Sequence, residues 1–149
     1  TAHTKVQVVK EFRDIFVANP DFFPLEGKAL EIKKLMEYPL LTLSSKSTTS
    51  EYLHQFFASH RQNLIPEDEL NSNDLLIDLA RIGLGIACVP DYMLASLRGQ
   101  ETALIEVSLK QQLPPRQLAL VYHESLPLSQ AAQKFFDYFS SKSTKTTSF

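Results

Sequence analysis

The pentapeptide SSKST occurs twice in this chain, at Ser44–Thr48 and again at Ser140–Thr144. Its hydroxyls and amide N–H groups can cap a helix or hold an anion, and the flanking segments decide which. The first copy lies between the apolar run LLTL (40–43) and the segment SEYLHQFFASH, so it occupies a strand-to-helix corner. Open α/β sheets bind their ligands at such corners, outside the carboxyl ends of the strands. A helix start also offers unpaired N–H groups and a partial positive charge. Seven of the nine residues from Thr42 to Ser50 are hydroxylic. Thr48-Thr49-Ser50-Glu51 fits a capping box with Thr48 as the cap. Capping needs one hydroxyl and leaves Ser45, Ser47 and Thr49 without a task, so capping alone and capping with anion binding both stand. A second polar cluster, Asn71-Ser72-Asn73-Asp74, opens the next helix as an ordinary N-cap or as the other half of a polar cleft. The second SSKST follows the last helix and leads nowhere, and residues 141–149 are expected to be a solvated tail.

No catalytic set accompanies these hydroxyls. There is no G-x-S-x-G elbow to activate a serine. His3, His54, His60 and His123 lack HExxH or paired-ligand spacing, so neither a metal nor a cofactor is expected. Cys88 lies among aliphatics in GIACVP and reads as buried and inert. Asp74 and Asp78 share a helix face at i, i+4 and read as a solvated face. Arg81 can complement Asp78 or the cleft. Gly83-Leu84-Gly85 is too short for a phosphate loop and follows a helix rather than a strand. The expectation is a binding protein rather than an enzyme.

Composition sets bounds. The chain has 149 residues, 44% of them hydrophobic, with a formal net charge of −2. It is long enough for one or two small domains with a sizeable core. It carries no basic field for nucleic-acid phosphates, so DNA contact would come through something outside this chain. One cysteine excludes a disulfide framework and points to a reducing, cytoplasmic setting. No apolar run approaches the roughly 20 residues of a membrane span, and no signal peptide is visible. The chain starts at TAHTKVQVV without Met, and is expected to begin partway through a longer protein.

The elements that would position the polar corners follow from periodicity. VQVVKEFRDIFVANP reads as one long crossing strand, ended by Asn19-Pro20. ALEIKKLMEY is a short helix stopped by Pro39, LLTL a buried strand, and SEYLHQFFASH a helix with Tyr52, Leu53, Phe56 and Phe57 on one face. IPEDEL leads into NSNDLLIDLARIGLG, a helix with Leu75, Leu76, Leu79 and Ala80 inward and Gly83 just past its end. GIACVP is a strand, and PDYMLASLRG a short helix. TALIEVSL and RQLALVYHE are strands, and SQAAQKFFDYF is a closing helix. The alternation predicts an α/β fold with a mostly parallel central sheet.

SNDLLIDLARIGLGIACVPDYML resembles the stretch in LysR-type transcriptional regulators where a helix ends in a G-x-G turn, enters a strand and stops at Pro. YPLLTLSSKSTTSEYLHQFF resembles their strand, polar loop and helix, FRDIFVANPDFFPLEGKALEI the lead into it, and RQLALVYHESLPLSQAAQKFFDYF their closing strand and helix. The resemblance covers nearly the whole chain. It implies an effector-binding region with a type 2 periplasmic-binding-protein-like fold: one complete α/β subdomain and part of a second. Residues 26–112 would be the complete subdomain two, 1–25 a crossing strand and remnant of subdomain one, and 113–140 the return strand and closing helix. It also implies a helix-turn-helix, absent from this chain, as the route to DNA, and a homodimer or homotetramer of the intact protein. The effector, commonly a small organic acid, would lie in the inter-subdomain cleft. Ser45, Ser47, Thr48, Thr49, Asn71, Ser72 and Asn73 match positions lining that cleft, and Val89 and Pro90 match one of its walls. A solute-binding protein of an uptake system is the alternative on the same fold.

Overall fold

A computed structural model of the chain describes residues 4–97 and 104–123. Among them, residues up to Phe12 and from Pro115 onward form one compact unit, and Arg13–Pro114 form a second. The expected boundaries were 25/26 and 112/113; the placement of residues 14–18 accounts for the earlier first division. VQVVKEFRDIFVANP is two strands rather than one: β1 (Thr4–Phe12) and β2 (Asp14–Ala18). β1 pairs antiparallel with β8 (Arg116–His123) in a two-stranded sheet. The Arg116 guanidinium lies 4.9 Å above the centre of the Phe12 ring, a cation–π contact at the end of that ribbon. β2 belongs to the other unit, where it lies inside a six-stranded sheet with all five residues buried. The chain thus changes sheets at Arg13.

That larger sheet runs β3 (Ala29–Leu30), β7 (Ile105–Leu109), β2, β6 (Ile86–Pro90), β4 (Leu40–Leu43), β5 (Asp68–Leu70). β2 is antiparallel to both neighbours, and the other pairings are parallel. LLTL and GIACVP become β4 and β6, as their apolar runs predict. β5 was not predicted. Its sequence Asp-Glu-Leu has little strand character, and pairing with β4 makes it a strand.

Helices cover both faces. On one face, α1 (Ile32–Leu35) and α2 (Thr48–Ser59) bury Ile32, Leu35, Leu53, Phe56 and Phe57 against Leu40, Ile86 and Cys88. On the other, α3 (Asn73–Arg81) and α4 (Asp91–Ser96) pack against Leu41, Ala87 and Val89. Leu76 and Ala80 face inward as predicted, with Leu79 half-buried against the same core, but Ile77 takes the inward place expected of Leu75, which is 42% exposed. Adjacent positions on a helix differ by about 100°, so two overlapping apolar stripes fit one sequence, and packing selects between them. Among the described residues no helix is long and apolar enough to cross a membrane. The expected closing helix, Gly99 and the tail 141–149 lie outside the described residues.

Helix ends show how local chemistry sets the boundaries. Gly83, at φ +79°, follows α3, where its N–H donates to Ala80 O (3.1 Å) and the Leu84 N–H to Leu79 O (3.0 Å). This double bond pattern is the Schellman end expected at Gly83. Asn19 secures the same helix end, its Nδ2 donating to Arg81 O at 2.7 Å. α2 ends in the same pattern, with Arg61 N–H donating to Ala58 O and Gln62 N–H to Phe57 O, both at 2.9 Å. There the left-handed position holds Arg61, at φ 61°. Arg61→Gly is therefore expected to stabilise the chain by about 0.5–1 kcal/mol, because Gly adopts this conformation without a Cβ penalty. A urea titration checks it, and an unchanged or lower midpoint would contradict the assignment.

Candidate functional site

The sheet topology marks the edge at which an open α/β sheet binds its ligands. From β4 the chain passes through α2 on one face to β5, then through α3 on the opposite face back to β6, on the other side of β4. The helices that follow the neighbouring strands β4 and β6, α2 and α4, therefore lie on opposite faces. Between such strand ends an open α/β sheet leaves a cleft at its carboxyl edge. The Ser44–Ser47 turn lies on this edge, with Asn71–Asn73 beside it and Pro90-Asp91 across it. The start of β2 reaches the same edge, where Asp14 pairs with Pro90 and the Asp91 N–H donates to Arg13 O at 2.9 Å.

The turn is built by its own hydroxyls. The Ser47 N–H donates to Ser44 O (2.9 Å), which turns the chain and leaves Ser47 extended at φ −83°, ψ 151°. The Ser47 hydroxyl donates to Ser44 O (2.8 Å) and accepts from the Ser50 N–H (3.0 Å). Ser47 is thus the cap of α2, a correction to Thr48. The turn places an extended residue one position earlier than the capping-box pattern indicates, and Thr48 becomes the first helical residue. Thr48 and Ser45 are exposed, Thr49 is half-buried, and Ser50 is buried.

The two polar clusters are neighbours. The Ser44 N–H donates to Leu70 O at 2.8 Å, which ties the start of the turn to the end of β5. Asn71 and Ser72 follow, both exposed. Ser72 caps α3, its hydroxyl accepting from the Leu75 N–H at 3.2 Å. Asn73 is half-buried, and its Oδ1 is buried without a hydrogen-bond partner, as is the Oγ1 of Thr42 in β4. Orphaned acceptors of this kind are rare in folded proteins and need an account. Val89 differs from the others: it is fully buried in the α3-side core, so its side chain does not reach the surface. Pro90 is also buried.

Other candidates resolve as packing or solvated surface. Cys88 is buried at 1% exposure, as read from its aliphatic neighbours. Asp78, exposed, pairs with the half-buried Arg81 at 3.6 Å, a contact worth little in water. His60 meets Phe56 edge-to-face, with ring centroids 4.8 Å apart and the planes at 63°. Among the described residues no group of three or more His, Cys, Asp or Glu is placed to hold a metal. Two features escaped the sequence reading. Glu69, on the unpredicted strand β5, accepts from the Ser45 N–H at 3.2 Å. A cavity of about 90 Å³ opens beside β2 and β7, lined by Arg13, Asp14, Phe16, Asp91, Glu106 and Leu113 among others. No local motif marks either, because strand pairing alone brings these residues together.

Known proteins agree with this architecture. The family model described as the LysR substrate binding domain matches residues 3–143. The HTH-type transcriptional activator CmpR of Synechocystis is 30% identical over 114 residues, which are 76% of this chain and 37% of that protein. This chain therefore spans well under half the length of that relative. Among solved structures, the regulatory domain of Synechocystis CcmR in complex with 2-PG superposes with a TM-score of 0.70 at 22% identity, over 92% of this chain and 65% of that one. The effector-binding domain of QuiR in complex with shikimate gives a TM-score of 0.66 at 14% identity, over 98% of this chain and 68% of that one. At these identities the likeness of the structures concerns the fold, which is the type 2 periplasmic-binding-protein-like α/β fold. The family match extends over most of the sequence, and by it the chain belongs to the LysR substrate-binding-domain family, the non-enzymatic effector-binding domains of LysR-type transcriptional regulators.

Proposed function

We propose that the carboxyl edge of β4, β5 and β6 is a wall of the effector site, and that the effector is a small anionic metabolite. The observation that carries this reading is the concentration at one sheet edge of the amino end of α2, the hydroxyl-rich turn before it and the capped start of α3. Hydroxyls and helix-terminal N–H groups donate to carboxylate or phosphate oxygens without needing a fixed charge. The exposed side chain of Asn71, beside the turn, offers an amide oxygen as an acceptor for a hydroxyl of the same ligand. An organic acid bearing hydroxyl groups meets both demands. The ligands named for the structural neighbours, 2-PG and shikimate, support this class. Binding would act on DNA through a region outside this chain, in a cytoplasmic homodimer or homotetramer. It would do so only to the extent that the effector prefers one arrangement of the protein over another.

Thr48→Val and Thr49→Val test the wall. Each removes a hydroxyl at the start of α2 and keeps the side-chain shape, while Ser47 still caps the helix. Each is expected to weaken binding of an accepted ligand, with 2-PG and shikimate the first to try, by about two- to tenfold, the worth of one hydrogen bond. The melting temperature of the Thr48→Val variant should stay unchanged, since Thr48 is exposed. Calorimetric titration reads the affinity, and equal affinity in both variants would remove this corner from the site.

A further inference from the structure

The proposed wall already holds a carboxylate, supplied by the protein itself. Thr42 of β4 and Glu69 of β5 are register partners, so their side chains leave the same face of the sheet, the face covered by α2. From there the Glu69 side chain reaches the turn before α2, and its Oε2 accepts from the Ser45 N–H at 3.2 Å. Asp68 precedes it, with its Oδ1 accepting from the Glu69 N–H at 2.9 Å. Asp68 pairs with Leu41, so its side chain leaves the opposite face, and Glu69 is the carboxylate that reaches the turn. Thr42, 1% exposed on this same face, meanwhile keeps a buried hydroxyl oxygen without a partner.

We propose that Glu69 is an internal competitor for the anionic effector: its carboxylate occupies the Ser45 N–H while the site is empty and has to leave when an anion binds. Glu69 acts this way only if the Ser44–Thr49 corner is the effector wall, as proposed above. A carboxylate beside a bound anion also repels it, which raises the ligand concentration needed for half occupancy and disfavours anions that cannot offer more than Glu69 does. Glu69 is exposed, so the effect is screened by solvent and is modest in size.

Glu69→Gln removes the charge and keeps both the length of the side chain and an oxygen that can accept from Ser45. The test titrates the ¹⁵N-labelled chain and this variant with inorganic phosphate and with lactate, following the amide resonances of Ser45, Thr48 and Thr49. Both anions are expected to move these resonances, with midpoints about two- to fivefold lower in the variant. Equal or higher midpoints in E69Q would overturn the competition and leave the wall standing. No movement in either protein would show that the corner does not receive anions, and the wall assignment would fall with it.

Discussion

Phe57→Ala is expected to lower the unfolding free energy by about 3–5 kcal/mol, the range for deleting a buried aromatic side chain. Phe57 has no exposed surface and lies in the core between α2 and the sheet. Its ring meets Phe16 edge-to-face at 6.2 Å and Phe56 at 6.0 Å. Phe16 belongs to β2 and Phe56 to α2, so a single truncation loosens the helix on the strand beneath it. Removal of the ring leaves a void that close-packed neighbours fill only in part, and it also removes two aromatic pair contacts. Chemical denaturation of the chain gives the difference directly. A loss below about 1 kcal/mol would mean that α2 is not anchored through Phe57. Because α2 carries the capped turn at its amino end, the same variant should also weaken ligand binding at that corner.

Gly85→Ala is expected to destabilise by about 1–3 kcal/mol, in the upper half of that range, although it adds only one methyl group. A Cβ at this position would lie 2.8 Å from Pro39 O and 2.9 Å from Leu41 Cγ. Pro39 O is not able to give way easily, because it accepts from the Ile86 N–H at 2.8 Å and so helps join β4 to β6. The added methyl would push the two strands apart where they begin to pair, with the crevice at their other ends. Gly83 makes a useful contrast. A Cβ there would meet the ring of Phe22, which is 56% exposed and can swing outward. The expected outcome for Gly85→Ala is a lower denaturation midpoint that Phe22→Ala does not relieve. An unchanged midpoint would show that β4 and β6 are spaced more loosely than the hydrogen bond implies.

Much of this arrangement is legible in the sequence because it follows from local rules. LLTL and GIACVP are apolar runs of strand length between helical segments, and they become the paired strands β4 and β6. The face of α2 formed by Leu53, Phe56 and Phe57 recurs at helical spacing, and those residues are buried. Gly83 marks the end of α3, since the left-handed turn there favours a residue without a Cβ. The order of these segments also carries the family resemblance, which the match over residues 3–143 bears out.

Other features needed contacts between segments distant in sequence. VQVVKEFRDIFVANP has no turn signal at Arg13, yet the chain leaves one sheet for another there, because β2 is the strand that fits between β6 and β7. Asp68–Leu70 becomes a strand only through its bonds to β4, and with it Glu69 arrives at Ser45, 24 residues away along the chain. The choice between Ser47 and Thr48 as cap depended on the turn closed by Ser44. The choice between Leu75 and Ile77 as the inward residue of α3 depended on the sheet beneath. By itself, then, the sequence determined the type of most elements and the chemistry of the polar corner, since periodicity and side-chain identity are local properties. Strand partners, strand order and the meeting of the polar corners with Glu69 were decided by the tertiary structure, because hydrogen-bond pairing and close packing act between residues that no local pattern connects.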